Sequence, residues 1–496
     1  MRECGMLLPI ASLPSKYGIG CFSKEAYEFV DQLKEGGQSF WQILPLGPTG
    51  FGDSPYQAFS AFAGNPYFID LEQLVGEGLL TEDECEEADF GDDDRYIAYD
   101  KIYKARFKVL KKAYERWKKD HHQFLKSKLD PETIEYCFYM AVKDHFKSAS
   151  WNKWDKDIRL RKPAAVEKYK KMLADEIGFY EFQQIEFNEQ WSRLKAYANE
   201  NGIRIIGDIP IYVAFDGADS WAHPELFQFD EECLPKAVAG CPPDAFSATG
   251  QLWGNPLYDW GYHKKDHYSW WIKRMEYSLK LYDVVRVDHF RGFEAYYSIP
   301  YGDPTAEFGH WEKGPGLDLF ARLKKSLKKE ELPIIAEDLG FLTPEVHEML
   351  KESGFPGMKV LEFAFDDSEN SDYLPHKYQE NCIVYTGTHD NETIAGWYAG
   401  LDKSDLKMCT DYMNIDRIPG KEYHWDFIRL AMLSVSDLCV IPIQDYLGLD
   451  NRARINHPST LGTNWRWRLA KGQLSASLLK EIREMTRISG RLQNGE

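Results

Sequence analysis

Short apolar runs with little polar alternation recur along this chain, at 36–48, 65–71, 202–213, 283–288, 333–338, 358–365, 382–391 and 438–445. Runs of this length, rich in Val and Ile, read as strands buried on both faces, the pattern of a parallel sheet. Helical periodicity separates the later runs, for example over 317–327 and 426–435. Eight strands joined by crossover helices predict an α/β protein of the (β/α)8 TIM-barrel type.

Two stretches depart from that rhythm. An acidic patch from Glu82 to Asp94 precedes a basic segment in which Tyr103, Phe107, Leu110, Tyr114 and Trp117 recur at spacings of four and three. This is one buried stripe of an amphipathic helix, and its lysines form a solvated face. Residues 72–190 therefore read as a mainly helical insertion, after a barrel start at 1–71 that holds the first two strands. The rest of the barrel, 191–496, carries an inserted loop at about 216–265, rich in Pro, Gly and aromatic residues.

Three of the apolar runs end on carboxylates: Asp288, Glu337 and Asp390. In a barrel of this kind the C-terminal strand ends carry the chemistry, and glycoside chemistry needs one acid/base and one nucleophile about the scissile bond. Residues two apart on a strand share a face. Arg286 and Asp288 then both point to the barrel axis, and the guanidinium favours the ionised carboxylate that a nucleophile needs. The same pair also fits a buried structural ion pair. Glu337 follows Ile334, Ile335 and Ala336; desolvation and neighbouring carboxylates would raise its pKa and keep it protonated, as a general acid must be. A capping or supporting role suits Asp338 better. His289, His389, Asp390 and Asn391 also make a hydrolase metal site conceivable, but no H-x-H, H-E-x-x-H or EF-hand spacing occurs. No dinucleotide fingerprint is present either.

Charge and composition narrow the partners. With 60 basic and 79 acidic residues the net charge is −19, which disfavours nucleic acid and anionic membrane surfaces. Nine cysteines without a C-x-x-C fit reduced thiols, and the proline-broken N-terminus is a poor signal peptide, so a cytoplasmic protein is expected. No stretch approaches the roughly 18 apolar residues of a membrane span. Fifteen tryptophans and 29 tyrosines exceed the needs of a core. Tyr56, Trp253 and Trp465 lie among polar loop residues, where flat amphipathic rings suit stacking on sugars as well as loop packing.

The chain resembles the 4-α-glucanotransferases (amylomaltases, disproportionating enzymes) of the α-amylase clan. The likeness runs through Gly5-Met-Leu-Leu-Pro-Ile-Ala-Ser-Leu-Pro-Ser15, Gly52-Asp-Ser-Pro-Tyr-Gln57, Gly207-Asp-Ile-Pro-Ile-Tyr-Val213 and the segment 242–256. It continues in Arg286-Val-Asp-His-Phe-Arg-Gly292, Ala336-Glu-Asp-Leu-Gly340, Thr388-His-Asp-Asn391 and Asn464-Trp-Arg-Trp-Arg468. The resemblance implies a barrel with helical insertions and no C-terminal β-sandwich. It makes Asp288 the nucleophile, Glu337 the acid/base and Asp390 the residue that distorts the sugar and stabilises the transition state, with Arg286 and His389 orienting them. Ser54, Tyr56, Tyr99, Asp208, Gln251, Trp253, Asp366 and Asn464 match sugar-contacting positions. The implied partners are an α-1,4-glucan donor and a glucose or maltooligosaccharide acceptor, with no metal or cofactor. A hydrolase of the same clan is the alternative within the class; a glucan-binding protein on an inactive barrel is the alternative outside it. Ala245 and Ala248 stand where some relatives carry Tyr and Glu, and Phe51 replaces a tyrosine at a secondary glucan site, so contacts through those side chains do not carry over.

Overall fold

The computed structural model describes residues 2–50, 52–120, 129–243, 247–340, 342–365, 371–416 and 422–493. In chain order its strands are β1 Glu3–Leu7, β2 Phe40–Gln42, β3 Arg204–Pro210, β4 Ala237–Cys241, β5 Gln251–Pro256, β6 Val284–Asp288, β7 Ala295–Pro300, β8 His310–Lys313, β9 Ile334–Ala336, β10 Gly357–Val360, β11 Cys382–Tyr385 and β12 Leu438–Pro442. Eight of them form one parallel sheet in the order β10-β11-β12-β1-β2-β3-β6-β9. Its two edges meet where the Ala336 N–H donates to the Pro356 carbonyl at 3.0 Å and the Met358 N–H donates to the Asp338 carboxylate at 2.6 Å. The sheet is the expected (β/α)8 barrel. Helices such as Lys24–Glu35, Ser269–Leu281 and Leu317–Leu327 supply its crossovers, and among the described residues no strand follows β12.

Strand parity sorts the core into two layers. Leu7, Phe40, Ile206, Ile335, Val360, Ile383, Tyr385 and Val440 pack together inside the barrel. Their neighbours Met6, Trp41, Ile205, Val285, Val287, Ile334, Val384 and Cys439 join the outer core beneath the helices. Two residues beyond Ile206, Val284 and Ile335 the inner face turns polar, which is how Asp208, Arg286 and Glu337 reach the mouth.

Three expectations need correction. The run at 65–71 is not a strand: Pro66–Phe68 is a 3-10 turn, capped by the Asn65 side chain accepting from the Tyr67 N–H at 3.0 Å. Proline at the first position suits a helical turn, since it offers no N–H to a sheet. The missing barrel strand is β1 at the N-terminus, where a Cβ at Gly5 would lie 2.6 Å from Phe40; glycine permits that close approach. Second, the loop expected at 216–265 holds β4 and β5, which join β7 and β8 in an antiparallel sheet ordered β5-β4-β7-β8. The pairing of β4 with β5 breaks register between Val238 and Gly240. Third, in the helix Tyr99–Asp120, Leu110, Tyr114 and Trp117 are buried, but Tyr103 is 50% exposed, and Val109, Ala105 and Ile102 carry the buried face toward the helix start.

Candidate active site

The site is built where β3, β6, β9 and β11 deliver polar residues to one mouth. Asp208 and Arg286 are register partners on β3 and β6. The buried Arg286 guanidinium is shared, with Nη1 2.6 Å from Asp208 Oδ2 and 3.0 Å from Asp288 Oδ1. The Tyr56 hydroxyl donates to Asp208 Oδ2 at 2.8 Å and lies 2.9 Å from His389 Nε2. The Tyr56 ring stacks on His389 with centroids 5.2 Å apart, and His389 Nε2 stands 3.3 Å from Asp390 Oδ2. A continuous polar chain thus crosses the mouth from Asp288 through Arg286, Asp208, Tyr56 and His389 to Asp390.

Glu337 is held by backbone. The His289 N–H donates to Oε2 at 2.8 Å and the Leu339 N–H to Oε1 at 2.9 Å. The first of these comes from the residue after the β6 end, where the chain turns with His289 in the left-handed region at φ 57°.

The three carboxyls titrate differently. Burial pushes Glu337 up to about 7, aided by the charge of Asp288 and opposed by Arg286. Burial also raises Asp288, to about 6, against the pull of Arg286. Arg286 was expected to hold Asp288 firmly ionised; desolvation outweighs it, although Asp288 stays the stronger acid of the two. Asp390 goes the other way. Burial alone would raise it, but His389 and the Asn456 amide hold it well below the usual carboxylate range.

Residues 8–474 match the family model for 4-alpha-glucanotransferase. The chain belongs to that family. A 4-alpha-glucanotransferase of Clostridium butyricum is 50% identical over 97% of this chain and 99% of its own length. One of Streptococcus pneumoniae is 48% identical over 99% of this chain and 98% of its own. Among solved structures, the amylomaltase of Streptococcus agalactiae in complex with acarbose superposes with a TM-score of 0.95, at 42% identity over 99% of this chain and 100% of that one.

The remaining positions suggested by the 4-α-glucanotransferase likeness fall in two groups. Ser54 and Trp253 border the network. Ser54 Oγ accepts from the Tyr56 N–H at 3.3 Å, and Trp253 meets His289 edge to face at 4.9 Å while its Nε1 donates to Gln251 at 3.0 Å. Tyr99 and Asn464 serve the wall instead. The Tyr99 hydroxyl donates to the Trp465 carbonyl at 2.8 Å, and the Asn464 side chain closes its own loop by bonding His457 and Thr460. Asp366, Phe51 and Ala245 lie outside the described residues. Ala248 is described and exposed.

Two residues of the site were missed. Asn456 Nδ2 donates to Asp390 Oδ1 at 2.6 Å, and Arg454 Nη2 to the Asp390 carbonyl at 2.7 Å. They follow β12 in a polar stretch with no apolar run to mark it; the only available signal was nearness to the aromatic segment around Trp465. Among the described residues no group of three or more His, Cys, Asp or Glu is placed to hold a metal ion. No helix among them is long and apolar enough to cross a membrane.

Proposed function

We propose that this enzyme moves α-1,4-glucan segments from a maltooligosaccharide or starch-type donor to a glucose or maltooligosaccharide acceptor, by retaining double displacement. Glu337 gives its proton to the glycosidic oxygen as Asp288 attacks C1. The bond from C1 to the leaving oxygen breaks, and a glycosyl ester forms on Asp288. Glu337 then takes the proton of an acceptor 4-OH, which attacks C1 and frees Asp288. Asp390 stabilises the positive charge that develops on the ring, Arg286 and His389 fix the carboxylates, and Tyr56, Asp208, Gln251 and Trp253 line the sugar's place. Asp366 completes the set of contacts carried over from the family. The observation that carries this reading is the pairing of Asp288 and Glu337 on adjacent strand ends, with Glu337 the weaker acid. Two buried carboxyls so placed are suited to share one proton, one ionised while the other stays protonated.

Transfer rather than hydrolysis requires that an acceptor be held with its 4-OH at C1 and that stray water be poorly placed. Trp253, braced by Gln251 and set against His289, is our candidate for the acceptor platform. The acarbose complex of the Streptococcus agalactiae amylomaltase supports an α-glucan-shaped cleft here as well. The nine free cysteines support a reducing compartment, which we take to be the cytoplasm. The deciding experiment is product analysis after incubation with maltotriose. Glucose with a ladder of longer maltooligosaccharides and a constant count of reducing ends is expected. Reducing ends that rise in step with substrate loss would make the chain a hydrolase.

A further inference from the structure

Arg286 is the hub of the polar chain across the mouth, yet both of its ion pairs end on one atom. Nη1 stands 2.6 Å from Asp208 Oδ2 and 3.0 Å from Asp288 Oδ1. Contacts at a single nitrogen leave the plane of the guanidinium free to turn about that point. The anchor that stops it comes from β10, the strand beyond β9. Met358, the second residue of β10, points inward with Ile335 and Val360 in the inner core. Its Sδ accepts from Arg286 Nε at 3.4 Å. Both side chains are buried, Arg286 at 3% and Met358 at 1% exposure. The Nε–H therefore has no water to turn to, and the sulfur is the acceptor that the structure gives it.

We propose that Met358 is a positioning residue that sets the plane of the Arg286 guanidinium, and with it the hold of Arg286 on Asp288. The proposal rests on the reading in which Asp288 attacks C1 as an anion. A thioether suits this place because it accepts a hydrogen bond with almost no charge of its own. A carboxylate there would draw the guanidinium to itself and add a negative charge to a mouth that already holds Asp208, Asp288 and Glu337. A leucine would fill the same space and leave the buried Nε–H unpaired. Met358 also touches both halves of the catalytic pair. Its N–H donates to the carboxylate of Asp338, the neighbour of Glu337, while its sulfur holds the arginine beside Asp288.

The test measures kcat, KM, pH profile and Tm on maltotriose for Met358→Leu and Met358→Gln, each in the parent and in Arg286→Lys. Leucine conserves volume but accepts nothing, whereas glutamine carries an amide oxygen on a side chain of the same length. Met358→Leu should lower kcat about threefold to tenfold, the weight of one hydrogen bond to a weak acceptor, with KM within about twofold. Its acid limb should move to higher pH, because Asp288 loses part of the pull that keeps it ionised. Met358→Gln should restore both. Lysine has no Nε–H at that place, so in Arg286→Lys the change Met358→Leu should cost nothing further. Parental kcat and an unmoved acid limb in Met358→Leu overturn the proposal. Equal losses in both Met358 variants with the acid limb unmoved also overturn it, as does the same loss from Met358→Leu in both backgrounds; either makes Met358 a packing residue. Near-parental activity in Arg286→Lys would remove the role of Arg286 itself, a failure of the mechanism visible without any Met358 variant, and the proposal would fall with it.

Discussion

On the β6–β9 side of the barrel mouth, Asp288 and Glu337 sit at neighbouring strand ends, repel each other, and both titrate high. Glu337 is fixed by backbone N–H groups next to those ends, His289 and Leu339. On the β11–β12 side, Asp390 stands five residues past the end of its strand at Tyr385, is held by the side chains of His389 and Asn456, and titrates low. The residue type is nearly the same on both sides and so is the solvent. What differs is which donors reach the carboxylate: Asp390, although its charge acts on Asp288, has the His389 ring and the Asn456 amide on its oxygens. A carboxyl raised by burial and one held ionised are therefore available at one barrel mouth.

The strongest way to break this comparison is to remove the poised pair. Glu337→Gln and Asp288→Asn should each lower kcat by about 10³-fold or more. The double variant should lose little beyond a single one, because the two act as a unit. Losses that multiply, in initial rates of glucose release from maltotriose, would mean that the residues work independently.

Trp253→Ala should act on partition rather than on rate. We expect the ratio of transfer to hydrolysis to fall about tenfold, as acceptor positioning is lost. Parallel counts of reducing ends and longer oligosaccharides measure it; an equal fall in both would make Trp253 a general binding residue.

The pH profile should be narrow. As pH falls through about 6 Asp288 takes up a proton and attack fails, and as pH rises through about 7 Glu337 loses the proton it must donate. The two limbs belong to the pair rather than to separate residues. In Glu337→Gln, residual activity should lose the alkaline limb, and its retention would point to another acid.

The smallest expected effects are on stability, and they carry opposite signs on the two sides. Asp288 and Glu337 have folded pKa values near 6 and 7 against ordinary values of 3.8 and 4.5. The folded state holds the extra protons between about pH 4 and 7, so their contribution falls as pH rises through that window. At pH 8 Asp288→Asn and Glu337→Gln should then melt at or up to a few degrees above the parent. Asp390 has a depressed folded pKa, so its contribution is present above the ordinary carboxylate range and lost on acidification. Asp390→Asn should melt slightly lower at pH 8. Differential scanning calorimetry of the three variants would show whether the signs divide this way.

What the sequence made legible follows from periodicity. Asp288 and Glu337 announced themselves because each closes an apolar run and Asp390 because it follows one, and the parity that put Arg286 beside Asp288 is seen as a 3.0 Å contact. β1 was hidden because Glu-Cys-Gly-Met-Leu has no β-branched residue; its strand character comes from β2 and β12 on either side. The run at 65–71 misled for the converse reason, since its aromatic and branched residues pack a turn that Asn65 and Pro66 dictate. The small sheet of β4, β5, β7 and β8 is held by pairings across a register break, and no local pattern encodes those. Asn456 and Asn464 lie in polar loops whose positions depend on tertiary docking alone. The titration of the carboxyls at β6 and β9 was half legible: the repulsion between like charges was visible, while the depth of burial was not.

The barrel closes at β9–β10 with the Ala336 N–H on Pro356 and the Asp338 carboxylate on the Met358 N–H. That stitch replaces the regular ladder seen between β6 and β9, and Asp338 is the residue after Glu337. A Cβ at Gly357 would lie 2.5 Å from the Asp338 carboxylate, so the seam also depends on a glycine. Local opening has its lowest free energy where few backbone bonds must break. The amides of Ala336 and Met358 should accordingly exchange with deuterium before those of β3 and β6. The cylinder would then come apart first along the strand that leads to Glu337.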